Sequence, residues 1–313
     1  MSGLRVSGGV DSAAVPEIET GSDRTTLIAF LAMVVGIASN VIAVRYLATA
    51  GDLDPMWAAS SRFALAALIF TIVARVVHAR MPRGRALVGA ILYGALTIGA
   101  FFAFVYWGLQ EAPAGLAGVL LATGPLLTYL FALAHGQERF RWDSVAGAAA
   151  VVLGTAVIFS VGLGGRAPIP HLLAVLAASA CAAEGAVIVK GFPQVHPAAR
   201  NAIGMAVGAA MLLILMPLFG ESFSIPEATS TWVAQAYLIT FGTIGVFGLY
   251  LFVLSRWTAS ATSYEFVLAP VVGIALAAWL LDEAVTPGFA VGSIIVLVGV
   301  YLGALRSPRD KDA

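Results

Sequence analysis

Long apolar runs broken by short polar stretches organise this chain. About 20 apolar residues are needed for a helix to cross roughly 30 Å of hydrocarbon. Stretches of that length occur at about 25–47, 55–77, 85–108, 112–134, 143–163, 170–191, 198–219, 231–254, 258–281 and 287–306. Apolar residues cover all faces of each helical repeat, and the alternating pattern of a membrane β-barrel is absent. The pattern predicts an all-α integral membrane protein with ten spans. Residues 1–24 mix Gly, Ser, Asp and Glu and hold no short apolar region of the kind a cleavable signal needs. They read as a disordered tail, and 307–313 as a second one.

Composition agrees, and the charges add a direction. The 313 residues are 60 % hydrophobic and 11 % charged, with mean hydropathy +0.94, whereas soluble domains carry about 25 % charged residues. Lys plus Arg and Asp plus Glu are 17 each, so no net field favours nucleic acid. The single cysteine, Cys181, allows no internal disulfide. Basic loops stay cytoplasmic. With ten spans, 14 of the Lys and Arg residues fall on one side, including Arg75, Arg80, Arg139, Arg200, Arg256 and Arg306, against Arg166 alone on the other. Both termini are therefore expected in the cytoplasm.

The chain also repeats itself. An offset of 145 residues sets Pro125 on Pro270, Glu138 on Glu283, Gly147 on Gly292 and Gly154 on Gly299. It also sets Ala114 on Ala259 and Arg45 on Lys190. The expected units are 25–163 and 170–306, five helices each. Five is odd, so the second unit must enter the membrane from the opposite side, as in transporters built from inverted repeats with a site near the midplane.

These duplicated residues, from Ala114 through Pro125, Gly136, Glu138, Gly147 and Gly154 and again from Ala259 through Pro270, Glu283, Gly292 and Gly299, resemble the paired EamA units of the drug/metabolite transporter superfamily. Within it the chain is similar to the YddG-type exporters of aromatic and other neutral amino acids. The resemblance spans about 25–306. It implies ten helices in a bacterial inner membrane, a central cavity shaped mainly by helices 1, 3, 4, 6, 8 and 9, and export of small metabolites without ATP. Helix 6 departs from the common pattern: an aromatic pair near Ala182 and Gly185 is missing, and Glu184 stands there instead.

An intramembrane charge costs about 2.5–3.5 kcal/mol on insertion scales, which makes each one a functional candidate. Glu184 and Glu265 both fall in the cytoplasmic halves of their spans. An enclosed carboxyl can exchange a proton near neutrality, as proton-coupled export requires; the alternative is a neutral acid bonded to a neighbouring helix. Thr258, Thr262, Glu265 and Ala269 share a helical face, and their counterparts Pro113, Ala117, Leu120 and Gly124 are apolar. Proton coupling is therefore expected in the second repeat. Arg45 and Lys190 sit at span ends and read as snorkelling anchors. Arg62 lies deeper, about 10 Å into its helix. It could hold a substrate carboxylate or pair with helix-end carbonyls.

Among uncharged groups, Asn40 shares a small, polar face with Gly36 and Ala43 that could admit a ligand or a helix. Tyr93, Thr97, Phe104 and Trp107 follow helical spacing, as do Thr243, Phe247 and Tyr250; such stripes pack helices or line a cavity for amphipathic substrates. Trp57, Trp142, Trp232 and Trp257 read as an interfacial belt. Pro125 and Pro270 predict duplicated helix breaks around a moving site. Gly204 with Gly208, and Gly299 with Gly303, form small-xxx-small pairs common in any packed bundle.

Other chemistry finds little support. Gly162, Gly164 and Ala167 match a dinucleotide fingerprint but follow a membrane span and precede Pro168 and Pro170 rather than a Rossmann helix. No phosphate-binding loop of the ATPase type occurs. His78, His135, His171 and His196 fall in loops or at helix ends, which leaves no buried histidine for a catalytic dyad or a metal. The expected protein is a secondary transporter without metal, cofactor or enzymatic activity. Its expected partners are a small-molecule substrate, membrane lipid and, for antiport, protons. A gated channel and a non-transporting scaffold or lipid-binding protein are the alternatives.

Overall fold

A computed structural model describes residues 24–50, 53–112, 114–158, 168–281 and 287–305. The two tails, the segment with Gly162, Gly164, Arg166 and Ala167, the acidic pair Asp282 and Glu283, and the Arg45 side chain lie outside the described residues.

Every described element is helical. They run α1 (Arg24–Ala50), α2 (Pro55–Val76), α3 (Arg85–Leu109), α4 in two pieces (Ala114–Leu121 and Gly124–Ala134) and α5 (Trp142–Ile158). Then follow α6 (Ile169–Gly191), α7 (Pro197–Phe219), α8 (Thr229–Arg256), α9 in two pieces (Ala259–Thr262 and Glu265–Leu281) and α10 (Pro287–Val300). Prolines open many of them, at Pro55, Pro125, Pro170, Pro197 and Pro287. A first-turn N–H has no partner inside the helix, so proline loses nothing there and its fixed φ suits the turn. Six helices are long and apolar enough to cross a membrane: α2, α3, Ala117–Ala134 of α4, α6, α7 and α8. Shorter apolar stretches lie at Arg24–Asn40, Trp142–Ile158 and Pro287–Gly303. The outer surface is aliphatic, with Ile214, Leu218, Leu153 and Leu173 largely exposed. The interior instead packs alanines, Ser60, Thr128 and Asn201. That inversion suits lipid as the surrounding solvent.

The helix contacts reproduce the repeat. α2 packs on its counterpart α7, and α5 on α10. α3 packs on α6 as α1 does on α8, and α4 on α6 as α1 does on α9. Exchanging the halves leaves this set unchanged. The α5–α10 crossing shows the operator. A Cβ on Gly147 would meet the Gly299 carbonyl oxygen at 2.7 Å, and one on Gly154 the Gly292 carbonyl oxygen at 2.8 Å. The helices therefore run antiparallel, and the pairs 147–299 and 154–292 interchange under the 145-residue offset. A two-fold axis passes across the helices between them. Both small-xxx-small pairs are used inside the chain: Gly299 and Gly303 against Gly147, Gly204 and Gly208 against Tyr93 and Ile98 of α3.

Two departures from continuous helices matter for the site. α3 widens into a π segment at Gly94–Ala100 and α8 into another at Thr240–Gly245, at equivalent places in the two repeats. Both contain a glycine at a close approach: Gly94 abuts Gly204, and Gly242 abuts the Asn40 amide. The proline-linked breaks are unequal. α4 is interrupted at Ala122–Thr123, just before Pro125. Proline cannot donate to the Leu121 carbonyl, and Ser179 of α6 donates to that oxygen at 3.4 Å instead. Pro270 stands inside an unbroken helix, and the interruption in α9 comes earlier, at Ser263–Tyr264.

Filling the glycine crossing should destabilise the bundle. We expect Gly154→Leu to lose about 1–3 kcal/mol or more through overpacking, lowering the melting temperature of detergent-solubilised protein. Gly248→Ala, with nothing within 4 Å of the added carbon, should instead gain up to about 1 kcal/mol of helix propensity. Equal midpoints for the two variants would contradict the packing account.

Candidate functional site

One end of the bundle gathers the starts of α2 and α8 and the end of α3; the opposite end gathers the starts of α3, α7 and α9. Each end holds a buried polar cluster.

At the α9 end stands Glu265. The turn at Ser263–Tyr264 restarts the helix there, so its carboxyl occupies a first turn, where negative charge is favoured. Glu265 is only 5 % exposed and its Oε2 has no hydrogen-bond partner. It interacts electrostatically with Tyr93 and Tyr250. The Tyr93 hydroxyl donates to Asn201 Oδ1 at 3.1 Å, and Asn201 Nδ2 donates to the Phe247 carbonyl at 3.2 Å. Arg200, counted from sequence among the loop cations, is buried here, with Nη2 donating to the Pro193 carbonyl at 3.1 Å. It faces the same two tyrosines.

At the α2 end Arg62 is buried, its guanidinium 4.7 Å from the Phe63 ring centroid and 5.4 Å from that of Phe102. Tyr106 is its polar neighbour. A cavity beside it is lined by Val44, Leu47, Leu53, Tyr106, Gln235 and Leu238.

Aromatic rings join the two clusters. Tyr106, Phe102, Phe63, Phe247, Tyr250 and Tyr93 follow one another with centroid separations of 5.8, 5.0, 5.9, 6.4 and 6.5 Å. The hydroxyls of Thr97 and Thr243, one in each π segment, are buried without partners, that of Thr97 against Gly185 of α6. π segments recur at functional sites because they displace backbone hydrogen bonds.

The sequence-predicted residues divide between these places. Tyr93, Tyr250 and Glu265 meet at the α9 end, Thr97 and Thr243 are buried in the two π segments, and Arg62 lines the α2-end cavity. Asn40 holds helices together: its Nδ2 donates to the Gly242 carbonyl of α8 at 2.8 Å. Trp107 lies at the far end of α3, its ring 4.9 Å from that of His171. Thr262 donates to the Thr258 carbonyl one turn back. Glu184 is paired with His135, Oε1 to Nε2 at 3.1 Å, on a half-exposed surface. The repeated Glu138 caps α9, accepting from Ser260 Oγ at 2.7 Å and its N–H at 3.3 Å. Sequence reasoning missed Asn201, Gln235 and Tyr106. The two amides interrupt apolar spans, and the cost of a polar group in hydrocarbon was the available signal.

A segment from Gly220 to Ala228 straps the α2 end. Asp54 makes no side-chain cap to its own helix. Instead Glu221 Oε2 accepts from the Met56 N–H at 2.7 Å, while Asp54 Oδ2 accepts from the Ser222 N–H at 2.9 Å. Trp57 Nε1 donates to the Ser224 carbonyl at 2.6 Å. Thus two of the expected belt tryptophans tie down the strap, since Trp232 Nε1 also donates to the Pro226 carbonyl.

A two-repeat helical membrane fold with polar clusters at both ends of its interior has the architecture of a small-solute transporter. The chain belongs to the EamA-like transporter family, whose profile matches it twice, at residues 24–160 and 168–304. Over 77 % of this chain and 81 % of the relative, it is 27 % identical to a probable terminal-alkyne amino-acid exporter of Streptantibioticus cattleyicolor. It is 26 % identical to a probable amino-acid metabolite efflux pump of Salmonella typhimurium, over 87 % of this chain and 93 % of that one. The uncharacterized inner membrane transporter YedA of Escherichia coli is 28 % identical over 79 % and 83 %. A solved crystal structure shares the fold, with TM-score 0.76 and 20 % identity, covering 91 % of this chain and 98 % of its own.

The strap carries a pH dependence. Burial pushes the Glu221 carboxyl above the usual carboxylate range, opposed by the Met56 N–H and assisted by Asp54. The folded protein then holds a proton that the unfolded chain releases above about pH 4.3. This contribution is present below that value and is lost as pH rises through the folded value. We expect the melting midpoint of wild type, relative to Glu221→Gln, to fall as pH rises above about 4.3; a constant difference would contradict the assignment.

Proposed function

We propose that the chain is a secondary transporter of ten membrane-spanning helices, two inverted five-helix repeats with both termini in the cytoplasm of a bacterial inner membrane. It exports small amphipathic metabolites, with aromatic and other neutral amino acids as the leading class. The observation that carries this reading is the exchange-symmetric helix packing around an interior with polar clusters at both ends and an aromatic column between them. With the two-fold axis lying in the membrane plane, rocking one half against the other would open each end in turn. The aromatic column closes the route between the ends and suits amphipathic solutes. A channel would instead use a continuous polar lane. The names of the relatives support amino-acid-like cargo.

Coupling is assigned to Glu265. It is enclosed, lacks a hydrogen-bond partner at Oε2 and is reached through Tyr93, Asn201 and Tyr250. Glu184, already paired with His135, takes the lesser part in this reading. Thr97, Thr243 and the two tyrosines contact the solute, and Pro125 and Pro270 lie in the segments that move.

The test is counterflow of radiolabelled phenylalanine, tryptophan, methionine and threonine in proteoliposomes, with and without a pH gradient. For one-to-one exchange, a one-unit gradient drives up to about ten-fold accumulation. Wild type should show it, and Glu265→Gln should retain saturable exchange while losing the response to the gradient. Saturable flux indifferent to the gradient in both proteins would leave a facilitator and return Glu265 to a structural role. Absence of flux for every solute would sink the amino-acid reading.

A further inference from the structure

The cavity at the α2 end presents a donor and an acceptor that the protein itself leaves unused. Arg62 and Gln235 both line it, and each is 5 % exposed. Arg62 Nε has no hydrogen-bond partner. Among the described residues no carboxylate lies within 4.0 Å of its guanidinium. Phe63, Phe102 and the bonded Tyr106 hydroxyl compensate only part of the cost of enclosing this cation. On the other helix, Gln235 Nε2 donates to the Ala58 carbonyl at 2.8 Å and to Ser61 Oγ at 3.1 Å. Those bonds fix the amide orientation and leave Oε1 buried without a donor. The remaining wall is Tyr106, whose hydroxyl is bonded to the guanidinium, with apolar Val44, Leu47, Leu53 and Leu238.

We infer that this cavity is a subsite for the zwitterionic head of a free α-amino acid: the carboxylate on the Arg62 guanidinium and the ammonium group on Gln235 Oε1. A fixed planar donor fork suits a carboxylate. An acceptor already oriented by two other bonds suits an ammonium group. A buried donor and a buried acceptor in one cavity are both satisfied only by a ligand that carries both complements. Either single modification of the ligand removes one charge and leaves a weaker neutral hydrogen bond in place of a charge-assisted one, which gives the site its selectivity. The inference rests on the transport reading and adds to it the residues that read the cargo.

The test is inhibition of labelled counterflow, for whichever of phenylalanine, methionine and threonine is carried, by its unlabelled amide and by its N-acetyl derivative. Exchanging a charge-assisted hydrogen bond for a neutral one weakens binding by about 10-fold. Wild type should therefore prefer the free amino acid to both derivatives by that factor. Arg62→Gln should raise the half-saturating concentration of the free amino acid about ten-fold or more and erase the discrimination against the amide, with Arg62→Lys in between. Gln235→Leu should erase discrimination against the N-acetyl derivative. Because Gln235 also ties α8 to α2, that variant can fail to fold; the selectivity of the unaltered protein then decides alone. Saturable flux with equal affinity for all three ligands overturns the subsite and leaves the transport reading standing. No saturable flux of any amino acid overturns both.

Discussion

Where α5 crosses α10, backbone meets backbone at Gly147, Gly154, Gly292 and Gly299, and a single methyl group at any of them would collide with a carbonyl or amide of the other helix. In lipid the hydrophobic effect gives little reason for helices to associate, so close approach and the dispersion it permits must supply the cohesion. Gly94 against Gly204 makes a second such approach between α3 and α7. Antiparallel packing of two equivalent helices on their own two-fold axis ties the repeats together through backbone contacts.

That arrangement frees the interior for polarity. Helices held by glycine contacts need few polar ties, yet the interior contains Asn201, Gln235, Arg62, Glu265 and unpartnered threonine hydroxyls. Some are ties, such as Asn201 between Tyr93 and the Phe247 carbonyl. Others remain unsatisfied, at a cost of about 1–3 kcal/mol for each neutral group. A bundle retains such groups where a bound solute or a second conformation can satisfy them. The helix interruptions serve the same end: the π segments hold the unpartnered hydroxyls of Thr97 and Thr243, and the turn at Ser263–Tyr264 brings Glu265 to a helix start.

The residues of the candidate site stood out in the chain by two kinds of signal. An intramembrane charge is conspicuous in an apolar sequence, so Arg62, Glu184 and Glu265 were found, and helical spacing found Tyr93, Tyr250 and the threonines. Neutral amides were not, because an asparagine or glutamine in a helix looks like any other polar interruption until its neighbours are known. Glu184 and Glu265 show the limit of charge alone. Both interrupt apolar spans, yet His135 from the end of α4 reaches one, while the other keeps an oxygen without a partner.

The duplicated Pro, Glu, Gly and Gly spacing and the apolar run lengths determined by themselves that this is a helical membrane protein of two equivalent units. Those properties are local: a span needs only length and apolarity, and a repeat needs only self-similarity. Tertiary structure decided what the repeated residues do. Pro125 interrupts its helix because Ser179 can take the freed carbonyl, whereas Pro270 sits within a continuous one. Glu138 caps a helix of the other repeat, and Arg200 left the loop cations for the buried tyrosines. Each outcome depends on which atoms of distant segments come within hydrogen-bonding reach, and sequence spacing does not record that.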